Sequence, residues 1–133
     1  MTESQEQKAL FQWAGYAEQA YPELKLLHHI PNGGKREPKT AVNLKREGVK
    51  AGVPDICLPV ARGQYHGLYI ELKTVKGKVQ KNQKEWLNEL NKEGYAINVC
   101  YGWLEARETI EKYLGLGEFS STRWLGWEKG ERK

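Results

Sequence analysis

A chain of 133 residues with formal charge +4 and a pI near 9.0 is long enough for one domain with a real core. The modest basic excess suits a polyanionic partner, and no run is long or apolar enough for a membrane span or a secretory signal. Two cysteines, Cys57 and Cys100, lack any C-x-x-C spacing, so zinc and disulfide chemistry give way to buried free thiols in a reducing, cytoplasmic setting.

The first predicted element is a helix from Glu3 to Ala20, in which Leu10, Trp13, Ala14 and Ala17 recur at helical spacing. Glu23 to His29 reads as a short strand. His28-His29 at its end reads as a hydrogen-bonded structural pair, because nothing else at zinc spacing accompanies it. Ile30 to Arg36 is a Pro/Gly turn with a basic end, Lys35 and Arg36, a candidate for contact with nucleic acid. Its Gly33-Gly34-Lys35 shows no Walker pattern. A short helix is expected from Thr40 to Glu47.

The densest chemistry follows. Gly52-Val53-Pro54-Asp55 opens an apolar strand that runs to Val60. Residues 61–67 hold two glycines and suit a hairpin loop. From Leu68 to Lys73, apolar Leu68, Ile70 and Leu72 alternate with Tyr69, Glu71 and Lys73, the period-two pattern of a strand. Glu71 and Lys73 then share one face, roughly 6–7 Å apart. Folding back at the loop puts Asp55 opposite them. Two carboxylates and an ammonium on one patch, expected to face solvent, suit a hard divalent ion beside a phosphodiester. Magnesium takes oxygen ligands and keeps water and substrate phosphate in its shell. A strand-borne ion pair beside a helix-capping Asp55 is the structural alternative.

Gln80 to Glu93 reads as a helix ended by Gly94, with Trp86, Leu87 and Leu90 on its apolar face and Gln83 on the same stripe at its N-terminal end. An amide placed there is either a cap or part of a functional cavity. Lys73, Lys76, Lys78, Lys81 and Lys84 follow one another with no acid between Leu72 and Lys84, so Lys76, Lys78 and Lys81 are candidate phosphate contacts. Tyr95 to Tyr101 is a buried strand, parallel to the Glu71 strand by the rule for strand–helix–strand units. Trp103 to Leu114 is an amphipathic helix with Ala106, Ile110 and Tyr113 inward. The tail from Gly117 to Lys133 carries Phe119, Trp124 and Trp127 among charges and suits packing on the core or on a partner subunit. Together these elements predict an α/β sandwich of the restriction-endonuclease-like kind, a small mixed sheet flanked by helices.

Gly52-Val53-Pro54-Asp55, Ile70-Glu71-Leu72-Lys73 and Gln83 resemble the motifs of the VRR-NUC family, a branch of the PD-(D/E)xK nuclease superfamily. The likeness spans about residues 1–115, with 117–133 as a tail on a single nuclease domain of 1–133. It implies a Mg²⁺- or Mn²⁺-dependent DNA endonuclease in which Asp55, Glu71 and the Leu72 carbonyl hold the metal. Lys73 assists the attacking water and Gln83 supports the site. The family also places a glutamate on its first helix shortly before a glutamine; Glu3, one turn from Gln7, fits, with Glu6 as its rival. Free-standing domains of this family look like resolvases of four-way junctions, so a homodimer acting on branched DNA is expected. A flap- or nick-directed nuclease and a non-catalytic DNA-binding module are the alternatives.

Overall fold

The computed structural model describes residues 1–32 and 37–116. In chain order these form helix α1 (Glu3–Ala17), a 3-10 turn (Pro22–Leu26), strand β1 (His28–His29), helix α2 (Pro38–Arg46), strands β2 (Ile56–Leu58) and β3 (Leu68–Lys73), helix α3 (Lys81–Lys92), strand β4 (Ala96–Tyr101) and helix α4 (Trp103–Leu116). The four strands make one mixed sheet in the order β1-β2-β3-β4. The first two pairings are antiparallel, and β3–β4 is parallel, with Glu71 beside Val99. The predicted α/β sandwich is thus present.

Side-chain alternation divides the sheet into two unlike faces. On one, Leu68, Ile70 and Leu72 of β3 meet Leu10 and Ala14 of α1 and Ala106, Ile110 and Tyr113 of α4 in the main core. The Tyr113 hydroxyl donates to the Val60 carbonyl at 2.6 Å, which ties α4 to the end of β2. On the other face a smaller cluster forms, Leu87 of α3 against Ile97 and Val99, with Tyr69 at its edge. Glu71 and Lys73 have the parity of Tyr69, so they project toward the α3 side, away from the main core.

Three element boundaries move for local reasons. The expected strand over Glu23 to His29 is mostly the 3-10 turn Pro22–Leu26, leaving only His28–His29 paired. Pro22 at its start fixes φ and lacks an N–H, and Leu24 and Leu27, three residues apart, both reach the core, as a threefold turn allows. α1 stops at Ala17, ahead of the predicted Ala20, and α2 begins two residues early because Pro38 occupies a first-turn position that proline favours. His28 and His29 are the structural pair expected: their Nδ1 atoms lie 2.9 Å from the Leu26 carbonyl and 2.8 Å from the Asp55 carbonyl. Cys57 and Cys100 are buried thiols, not joined in a disulfide. Among the described residues no helix is long and apolar enough to cross a membrane.

Gly52 sets where α3 sits relative to β2. Its φ is +92°, and an added Cβ would lie 2.9 Å from the Asn82 carbonyl oxygen in the first turn of α3. Gly52→Ala therefore meets both left-handed strain, worth about 1–2 kcal/mol, and a backbone collision that pushes that turn outward. Urea unfolding is expected to show a loss of at least that size, whereas Gly15→Ala, with nothing within 4 Å, leaves the midpoint unchanged or raised.

Candidate active site

The register puts Asp55 directly before the Ile56–Ile70 pair, level with Glu71 across the β2–β3 ladder. Asp55 Oδ2 accepts the Leu72 N–H at 2.7 Å. This bond holds the carboxylate against β3 at the point where the paired segment of β2 begins. Glu71 Oε2 lies 3.7 Å from Lys73 Nζ and accepts from Gln83 Nε2 at 3.3 Å. The Gln83 amide also uses its other end: its Oε1 accepts the Gln80 N–H at 2.8 Å. One side chain thus closes the first turn of α3 and contacts the acid on β3. The cap and the site, separate alternatives for Gln83 from spacing alone, are the same residue.

The expectation of solvent-facing carboxylates does not hold. Glu71 is 1% exposed, and Asp55 and Lys73 are 6% exposed each. The first turn of α3, seated on Gly52, covers this part of the sheet. Burial pushes the Glu71 carboxyl up to about 9; the charge of Asp55 and its hydrogen bond with Glu71 add to the rise, Lys73 works against it, and Glu3 adds a little more. Glu71 Oε1 is also buried without a hydrogen-bond donor. Two carboxylates close together in such a place must share a proton or a cation.

Glu3 and Glu6 part company in the structure. Glu6 Oε1 accepts the Trp103 N–H at 3.1 Å and so serves the start of α4. Glu3, at the start of α1, lines the same cleft as Lys73 and Gln83. Partial burial pushes its carboxyl up, with Lys73 pulling it down and Asp55 raising it. Glu71 thus lies beside Asp55, Lys73 and Gln83, Glu3 lines the cleft with Lys73 and Gln83, and Glu6 is turned to α4 instead. Lys76 and Lys78, ahead of α3, and Lys81, its first residue, are exposed, but none lines the cleft. Lys35, Arg36, Phe119, Trp124 and Trp127 lie outside the described residues.

The cleft itself has a volume of about 720 Å³. One wall is the first turn of α3, with Gln80, Asn82 and Gln83; the other is α2 and the segment after it, with Ala41, Leu44, Lys45 and Val49. Sequence reasoning missed α2 as a wall. Its only signal was position: a short amphipathic helix with no buried residue, immediately before Gly52.

The donor set fits a hard divalent cation. A bare acceptor on Glu71, a second carboxylate within hydrogen-bonding reach and a lysine limiting their net charge supply oxygen ligands where an ion would replace a proton. Among the described residues no group of three or more His, Cys, Asp or Glu side chains is gathered to hold an ion by itself, so water and substrate oxygens would complete the shell.

An acid at the mouth of one strand and Glu-x-Lys on its antiparallel neighbour, on a mixed sheet between helices, define a nuclease domain of the PD-(D/E)xK type. The VRR-NUC domain model matches residues 1–103. A solved structure described as a VRR_NUC domain protein superposes with a TM-score of 0.75 at 35% identity, covering 91% of this chain and 94% of its own. No match was found among curated proteins. The chain belongs to the VRR-NUC family. Nucleases of this type generally use divalent metals and act on DNA.

The raised Glu71 carboxyl makes a stability prediction. Between its ordinary value of 4.5 and about 9, the folded chain keeps a proton that the unfolded chain has released. Stability of the metal-free protein should therefore fall as pH rises through that window, by up to about 1.4 kcal/mol per pH unit. Urea midpoints in EDTA at pH 6 and pH 8 are expected to show this fall, and Glu71→Gln is expected to remove most of it. An unchanged slope in the variant would contradict the assignment.

Proposed function

We propose that this chain is a Mg²⁺- or Mn²⁺-dependent, structure-selective endodeoxyribonuclease, a single domain over 1–133 that cuts four-way DNA junctions as a symmetric homodimer in the cytoplasm. The observation that carries the chemistry is the buried Asp55–Glu71 pair with its donorless Oε1 and adjacent Lys73. Asp55, Glu71 and the Leu72 carbonyl are the proposed ligands. When bound, the ion supplies charge neutralisation at the scissile phosphate and acidifies bound water.

The chain's own residues do the rest. Asp55 is oriented by the Leu72 N–H. Gln83 fixes the Glu71 carboxylate so that its other oxygen points away from the amide. Lys73, buried at 6% exposure, presents a fixed ammonium to the attacking water and to the charge that builds on the phosphoryl oxygens. Preorganised charge in a dry site is worth several kcal/mol at a transition state. Glu3, which lines the same cleft, is the proposed acceptor for a proton from water entering it. Lys76, Lys78 and Lys81 contribute phosphate contacts outside the cleft, and Lys35 and Arg36, which lie outside the described residues, are proposed as further phosphate contacts.

Junction resolution needs two incisions on opposing strands. A two-fold dimer presents two equivalent sites to a two-fold substrate, which supports the homodimer reading. Leu104 on α4 is 59% exposed, and that helix is the proposed interface element within the described residues.

Asp55→Asn and Glu71→Gln, which keep shape and hydrogen-bonding capacity, should abolish Mg²⁺-supported cleavage of a branched substrate with the fold retained by circular dichroism. Lys73→Ala should lower turnover by about 10²–10³ with branched-DNA affinity nearly unchanged. Lys76→Ala should leave turnover near wild type. Equal losses in the two lysine variants would deny Lys73 a special role. A monomer by sedimentation that prefers flaps would replace the junction reading with a flap nuclease.

A further inference from the structure

Asp55 and Glu71 are buried, and the cleft between α2 and α3 is lined by Lys73 and Gln83, the two side chains that contact Glu71. A phosphodiester entering there brings negative charge toward Asp55, Glu71 and Glu3. The walls answer unequally. The α3 wall offers neutral amides, Gln80, Asn82 and Gln83. Among the described residues that line the cleft, Lys45 and Lys73 are the cationic ones, and Lys73 is already engaged with Glu71 at 3.7 Å. Lys45 is exposed, and no ion pair among the described residues involves it. Beside it Leu44 and Val49 make that wall partly apolar, a surface suited to the face of a deoxyribose.

The geometry points to Lys45 as a DNA-binding residue that grips the sugar-phosphate backbone of the scissile strand from the α2 wall, opposite the amides of α3. This rests on the nuclease reading and adds a residue and a strand path to it. The strand enters between the two helices, with its phosphate flanked by Lys45 outside and Lys73 inside. The helix α2 has no buried residue of its own, as befits an element that completes its contacts on substrate. A purely structural account exists for Lys45, since a cation in the last turn of a helix is favoured by the helix dipole. That account touches stability, and Arg46 shares it; it predicts no effect on DNA.

The test uses the full chain and a labelled four-way-junction oligonucleotide. Anisotropy in EDTA over about 50–200 mM salt measures affinity without cleavage. Steady-state cleavage in Mg²⁺ separates KM from kcat. Lys45→Ala is expected to raise both Kd and KM five- to twentyfold with kcat within twofold, and to reduce the salt slope by about 0.9, the loss of one phosphate contact. Lys45→Arg is expected to recover most of the affinity. Lys92→Ala, an exposed lysine at the end of α3 away from the cleft, is the control and should match wild type. A Lys45→Ala protein indistinguishable from that control in Kd, KM and slope would overturn the inference. So would a loss confined to kcat. Should wild type bind with a Lys45-dependent slope yet cleave nothing in any divalent ion, the nuclease reading fails and the Lys45 contact stands.

Discussion

Glu71 is a carboxylate that the fold places where it cannot stay charged alone. It sits on a central strand, 1% exposed, beside a second acid, with one oxygen lacking any donor. Much of the surrounding structure can be understood as positioning this group. β2 brings Asp55 level with it, and the Leu72 N–H holds Asp55 there. α3 lays Gln83 on its other oxygen. Gly52 lets α3 come close enough to do so. Without a cation such a site favours the protonated carboxyl, because desolvation and like charge both act on it.

The division of the sheet into two faces explains how the protein tolerates this arrangement. Stability comes mainly from the α1/α4 side, where Leu10, Ile70, Leu72, Ile110 and Tyr113 close a continuous apolar core. The α3 side holds only a small cluster around Leu87 and gives the rest of its surface to charged groups. Alternation along β3 makes the separation sharp. Ile70 and Leu72 serve the core while Glu71 and Lys73, on the same six residues, serve the site. A register slip of one residue would exchange the two roles, so the hydrophobic pattern of β3 also fixes the chemistry.

Period-two alternation and the hairpin glycines made β2, β3 and the opposition of Asp55 to Glu71–Lys73 legible before any coordinates. The Gly52-to-Asp55 motif with Gln83 then made the family legible. Burial of the carboxylates was not, because it depends on how closely α3 approaches β2 through Gly52, a tertiary contact with no local pattern. The resemblance favours Glu3 with Glu6 as its rival, and both lie in the first turn of α1; that Glu6 accepts the Trp103 N–H depends on the docking of α4 and has no local pattern. Lys45 escaped notice because α2 reads as an unremarkable surface helix until its place opposite α3 is seen. The 3-10 turn replaced the expected strand because Pro22 acts on local backbone, where apolar spacing in Glu23 to His29 is too short to discriminate.

The central claim is that a divalent ion takes the place of the Glu71 proton. Calorimetric titration of the apoprotein with Mg²⁺ or Mn²⁺ at pH 7, repeated in buffers of different ionisation enthalpy, counts protons released per ion bound. With the Glu71 carboxyl up near 9, the account predicts release of about one proton by wild type and none by Glu71→Gln, whose residual binding should be much weaker. Tight binding with no proton release, or equal release by the variant, would contradict it.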